Sequence, residues 1–224
     1  GMNVIKELFP TKLELMKAIG WVDVDAIEKG TKSYDQLKTI AAKNAAIEVN
    51  VDDLMQVGEG AEIYFKWFVT KGGRFNMDSV TVNPQSEKQL HRWLVTANSS
   101  KTTMSKDELE SVKQGKPTNE KAIGFAYAVA QAFGYGIDKN KEEDVIAEAQ
   151  RLMNLSREEL VELIREGKIS HVGQAVTVLA DLDKLASGKE QIDVHSTLEV
   201  DGLTNGYAFR VMQFTVADYK KWLP

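Results

Sequence analysis

Cysteine is absent from the 224 residues, which excludes disulfides and thiolate metal sites. The three histidines, His91, His171 and His195, are too widely separated to suggest a zinc cluster. No continuous apolar run reaches membrane-spanning length and no signal peptide is visible, so the expectation is a cytoplasmic protein with no membrane partner. There is no GxxxxGK[ST] loop, HExxH, GxSxG or EF-hand loop, which removes the commonest signatures of nucleotide, zinc, acyl-transfer and calcium chemistry. No internal repeat or long linker is present. A basic excess is also missing. Lys and Arg total 28 against 33 Asp and Glu, a net charge of −5, whereas a freestanding nucleic-acid binder is more often basic. A local basic groove remains compatible with that balance, and a metal-dependent site needs acids of its own.

What is there is an ordinary globular composition, 43% apolar, long enough for one large domain or two small ones. Leu8, Leu13, Leu15, Met16 and Ile19 space a helical region over residues 3–20, with Pro10-Thr11 able to open a helix and Gly20 to close it. Trp21 to Asp25 fits no element. Helix is predicted from Tyr34 to Val49, and a further short helix from Val51 to Val57. The scattered lysines 29, 32, 38 and 43 read as solvated surface. At Ala61 the texture changes. Residues 63–69 and 75–82 are rich in β-branched and aromatic side chains and flank Gly72-Gly73, which predicts a hairpin. Arg74 stands just past that corner, where its guanidinium can hold phosphate or ribose oxygens or can pair with a nearby acid.

Helix follows over residues 86–95, and residues 97–103 read as a polar turn. Ser105 offers an N-cap to a short segment with Leu109 and Val112. Glu120 to Phe133 reads as a largely buried helix ended by Gly134, and Glu142 to Met153 as an amphipathic one. Ser156 with Glu159 is a capping box starting a helix through Arg165. His171 to Leu185 forms another apolar helix, on which Asp181, Asp183 and Lys184 are expected to be exposed. A strand is expected around residues 197–201. The pattern predicts an α+β fold, predominantly helical, with a small antiparallel sheet and surrounding helices.

The strand's end delivers Asp201-Gly202-Leu203-Thr204-Asn205-Gly206. A carboxylate held there beside glycines suits a hard cation such as Mg²⁺, and it equally suits a turn in which Asp201 bonds its own backbone.

Two motifs together carry a family resemblance. Thr70-Lys71-Gly72-Gly73-Arg74 has the form T/D-x-x-G-R, and Asp201 to Gly206 has the form D-G-x-x-N/S-G. In this order, with Asn83-Pro84-Gln85 closing the segment after the first, they resemble the single-subunit DNA-directed RNA polymerases of phages and mitochondria. The resemblance is firmest over residues 63–84 and 198–214. It implies a palm-like sheet, a helical N-terminal region over 1–60 passing from thumb to palm, and a partial palm with inserted helices over 61–224. It implies that Asp201 and the carbonyl of Gly202 bind Mg²⁺ for two-metal nucleotidyl transfer, and that Arg74, Gly72 and Gly73 contact the template–RNA hybrid. The implied partners are template DNA, RNA product, and a polymerase portion or second subunit carrying motifs B and C. Those motifs are not found up to Pro224, so this chain alone is expected to be inactive. The implied setting is a phage-infected or prophage-carrying cell. Thr70 stands where the family often has aspartate, and Tyr207-Ala208 where it often has Gln-His, which points to a divergent phage-like member. Two other readings are a non-catalytic helical interaction protein of a phage or bacterium, and a different Mg²⁺-dependent phosphoryl-transfer enzyme using Asp193 or Glu199 beside Asp201.

Overall fold

The computed structural model describes residues 2–56, 62, 64–78, 101–137, 139–166, 169 and 171–198. The predicted helix at 86–95, residues 79–82 of the hairpin and the Asp201–Gly206 motif lie outside them. The described chain is α+β and mostly helical, with two small antiparallel sheets.

The N-terminal region opens with α1 (Met2–Leu8) and α2 (Lys12–Ala18), parted at Phe9-Pro10. Thr11 caps α2. Its hydroxyl accepts from the Glu14 N–H at 3.2 Å, and the Glu14 carboxylate accepts from the Thr11 N–H at 2.9 Å. Gly20 adopts φ +98°, which lets the chain leave the helix. The unassigned segment that follows is held from outside itself. The Asn44 side-chain amide bonds both backbone groups of Val22, at 2.6 and 3.0 Å, and the Trp21 indole donates to Glu48 at 3.0 Å.

The next helix, α3 (Tyr34–Gln56), is one continuous element, not the two predicted. No glycine or proline interrupts it, and Ile47 and Val51, one turn apart, are both buried on the same face. The hairpin forms as predicted: β1 (Trp67–Val69) pairs antiparallel with β2 (Phe75–Met77), Phe68 opposite Asn76.

The second sheet joins β3 (Thr102–Ser105) to β4 (Gln191–Val194), with Met104 opposite Ile192. The polar turn expected over 97–103 therefore ends in strand. Of the strand expected around 197–201, residues 197 and 198 carry no strand and 199–201 lie outside the described residues. Only Met104 of β3 is buried, at 1% exposure, so the run lacks the alternation that marks a half-buried strand.

Between these strands lie α4 (Lys106–Lys113), α5 (Glu120–Ala132), α6 (Glu142–Met153), α7 (Arg157–Arg165) and α8 (Val172–Ala186), close to their predicted bounds. Local chemistry sets those bounds. Ser105 with Glu108 and Ser156 with Glu159 form complete capping boxes, and Asn119 caps α5 through the Ala122 N–H at 3.0 Å. Phe125, Val129, Val145, Leu152, Val176 and Leu179 meet in the core, and Ile5, Leu15 and Ile47 of the N-terminal helices belong to the same apolar cluster. Five buried alanines on α5 let its neighbours approach closely.

Arginines tie α1 to α7 and α8. The Arg157 guanidinium donates to Asp183 at 2.7 and 3.1 Å and to Glu7 at 2.7 and 2.8 Å. Arg165 donates to the Leu8 and Glu7 carbonyls, both at 3.1 Å, satisfying the open C-terminal end of α1. Bonding to Arg157 holds the Glu7 carboxyl below the usual range.

Candidate nucleic-acid interface and the approach to Asp201

The Thr70–Arg74 turn is closed by three hydrogen bonds. The Thr70 N–H donates to the Arg74 carbonyl at 2.9 Å, the Gly73 N–H to the Thr70 carbonyl at 2.9 Å, and the Arg74 N–H to the Thr70 hydroxyl at 3.1 Å. Gly73 sits at φ +78°, a conformation that side chains rarely adopt, and a Cβ there would meet open space. The glycine requirement is thus conformational. The last of the three bonds gives position 70 a physical role: its side chain supplies an acceptor to the N–H of the arginine four residues on. A hydroxyl or a carboxylate oxygen can do this, so the Thr/Asp alternation preserves the turn.

This turn places Arg74 on the surface. Among the described residues no acid pairs with it, while the nearby Lys66 pairs with Asp78 at 3.3 Å. Gly72 and Gly73 are exposed beside it and leave backbone accessible. The strands behind the turn and the residues just before them expose large apolar surface, Phe75 at 67% and Tyr64 at 86% exposure, with Trp67, Phe68 and Val69 about half exposed. Trp67, Val69, Phe75 and Met77 share one face of the hairpin by register and alternation.

Asp201 and Gly202 lie outside the described residues. Among the described residues no group of three or more histidine or acidic side chains is placed to hold a metal ion. The chain leading toward Asp201 is visible as far as Leu198. Asp193, an alternative acid, has both oxygens engaged, by Lys101 Nζ at 2.7 Å and by the Thr103 hydroxyl at 2.7 Å. These bonds hold its carboxyl below the usual range and clasp β4 to β3.

Two polar residues escaped the sequence reading. Asp181, expected on the surface, is 1% exposed, and Gln174, on the same helix, is fully buried. Asp181 tolerates burial because its Oδ2 accepts from the His195 N–H, the Ser196 N–H and the Ser196 hydroxyl, while Oδ1 accepts from Lys184. The sequence signal was present in one respect: Gln174 and Asp181 fall two turns apart, on the face that also carries Val178.

A family model described as the virion DNA-directed RNA polymerase domain matches residues 2–95. The match takes in α1 to α3, the hairpin and the Thr70–Arg74 turn, and it stops short of Asp201. Over that stretch the chain is similar to a portion of a phage-type RNA polymerase. No curated protein and no solved structure matches the chain. Among the described residues no helix is long and apolar enough to cross a membrane.

Proposed function

We propose that this chain is part of a phage-type DNA-directed RNA polymerase, with the Thr70–Arg74 turn at the template–RNA hybrid and Asp201 at the site of nucleotide addition. The observation that carries the reading is the turn itself. It lies inside the matched span, is fixed by backbone and Thr70 bonds, and holds out an arginine with no acidic partner among the described residues. A guanidinium in that position can donate to phosphate oxygens and to 2′-hydroxyls, and the exposed glycines allow a hybrid to approach.

Asp201 with the carbonyl of Gly202 offers hard oxygen donors suited to Mg²⁺. Mg²⁺ bound there would lower the pKa of the RNA 3′-hydroxyl and offset the charge of the triphosphate. In this reading the partners are template DNA, RNA product and the polymerase segments that carry motifs B and C, without which the chain makes no RNA.

The test is single-nucleotide extension of a preformed RNA–DNA hybrid by the polymerase containing this chain, across a Mg²⁺ titration. Asp201→Asn keeps the shape and removes the charge, so extension should fall by about 10³-fold or more while hybrid binding survives. Arg74→Ala should weaken hybrid binding and lower activity while leaving the Mg²⁺ dependence in place. Extension by Asp201→Asn at near wild-type rate at every Mg²⁺ concentration rejects the metal role.

A further inference from the structure

The register of the hairpin sorts its side chains onto two unlike faces. Thr70 and Arg74 are bonded to each other at the tip, Phe68 lies opposite Asn76, and the Asp78 N–H donates to the Lys66 carbonyl at 2.7 Å. By alternation Lys66, Phe68, Thr70, Arg74, Asn76 and Asp78 share one side, and the Lys66–Asp78 ion pair at 3.3 Å agrees with that. Trp67, Val69, Phe75 and Met77 take the other side, which carries no charge.

Of the two, the face that carries Arg74 is the one with polar groups to offer a nucleic acid. Asn76, the next residue on that face, is exposed, and its side-chain amide has no hydrogen-bond partner among the described residues. Phe68 stands directly across from it, 46% exposed. Arg74 and Asn76 are about 6.8 Å apart along the strand, which is about two steps of a nucleic-acid strand at roughly 3.4 Å each. Beyond them Asp78, which a phosphate would avoid, is matched by Lys66. An asparagine amide presents a donor and an acceptor together. So does the ribose 2′-hydroxyl, the group that separates RNA from DNA. The Phe68 ring offers an apolar surface for the carbons of the sugar.

We infer that Asn76 is a second hybrid contact, which reads the RNA strand through a 2′-hydroxyl about two nucleotides from the contact of Arg74, with Phe68 against the sugar beside it. This rests on the polymerase reading for the presence of a hybrid at the turn, and on the register for the face that meets it. Arg74 supplies charge that the phosphates of RNA and of DNA satisfy alike, whereas Asn76 supplies the discrimination between them.

The experiment measures the affinity of the polymerase containing this chain for an RNA–DNA hybrid and for a DNA duplex of the same sequence, at one fixed salt concentration. Asn76→Ala should weaken hybrid binding about 3- to 10-fold, the range of one hydrogen bond, and leave duplex binding within about 1.5-fold. In a scan of single 2′-deoxy substitutions along the RNA strand, one position should weaken binding by the wild type and have no effect on the variant. Trp67→Ser, on the opposite face, should leave hybrid affinity within about 1.5-fold. Amide exchange over Thr70–Arg74 reports on the turn. Should Asn76→Ala alter it, Asn76→Val, which favours strand, carries the test. Wild-type hybrid affinity in the Asn76 variant overturns the inference, and so does an equal loss of hybrid and duplex. A loss in Trp67→Ser as large as that in Asn76→Ala also overturns it, by assigning the contact to the apolar face. Arg74→Ala is measured beside them. If it weakens hybrid binding while Asn76→Ala does not, only the Asn76 contact fails; if it binds the hybrid like the wild type, the polymerase reading of the turn fails with it.

Discussion

Phe125 and Phe75 are the same side chain in opposite surroundings. Phe125 on α5 is 4% exposed, within the apolar cluster that α4 to α8 share, whereas Phe75 on β2 is 67% exposed, beside half-exposed Trp67 and Val69. The helical region holds its elements by burial. The hairpin keeps its shape through a turn and a three-residue ladder and leaves its apolar side chains on the surface. A two-stranded hairpin is marginal by itself, and exposed apolar groups beside a cationic turn suit a surface used for contact. In the function proposed above, stability and recognition draw on different parts of the chain, and substitutions should separate them.

The largest effect belongs to the buried side. Leu179→Ala empties a fully buried position on α8 and should cost about 2–5 kcal/mol, read as a lowered urea midpoint. A loss under about 1 kcal/mol would mean that the helical core is far looser than its burial implies.

Acid should sharpen the contrast next. Glu108 is held below the usual carboxylate range by the Ser105 N–H and then Asn119, Glu159 by the Ser156 N–H, and Asp193 by Lys101 and then Thr103. A carboxyl with a depressed folded-state pKa contributes its stability fully above its unfolded pKa and loses it as pH falls through the folded one. The helical region should therefore be insensitive to pH above about 5 and weaken progressively below about 4. The hairpin turn is capped by a hydroxyl and has no such carboxylate, so Thr70–Arg74 amide exchange, corrected for intrinsic rate, should not follow that transition. Parallel loss of both would show that the hairpin depends on the helical region for its shape.

The smallest effect belongs to the exposed face. Phe75→Ser should change the urea midpoint by less than about 0.5 kcal/mol equivalent, because little burial is lost. If it destabilises as much as Leu179→Ala, the apolar face of the hairpin is part of the core and the contrast drawn here is wrong.

Much of the helical region was legible because its signals act within a few residues. Ser156 and Glu159 announce a helix start three positions apart, Gly134 a helix end, and Gly72-Gly73 a corner. The Thr70–Arg74 turn was legible as a Gly-Gly corner for the same reason, and the structure showed that Gly73 is the one at positive φ. Two features resisted. The break expected between Val49 and Val51 does not occur, because the shared burial of Ile47 and Val51 carries α3 through. Thr102 and Thr103 looked like turn residues because a strand with one buried side chain has no pattern to read.

By itself, then, the sequence determined the caps, the hairpin corner, the bounds of α4 to α8 and the predominantly helical class, all through bonds and packing between near neighbours along the chain. Tertiary structure decided that Thr102–Ser105 is a strand, because its partner β4 lies at the far side of five helices in sequence. It also decided that Asp181 is buried. A charged residue on a helix reads as surface until the backbone donors that can take its charge are brought to it, and here they come from His195 and Ser196, beyond the end of its own helix.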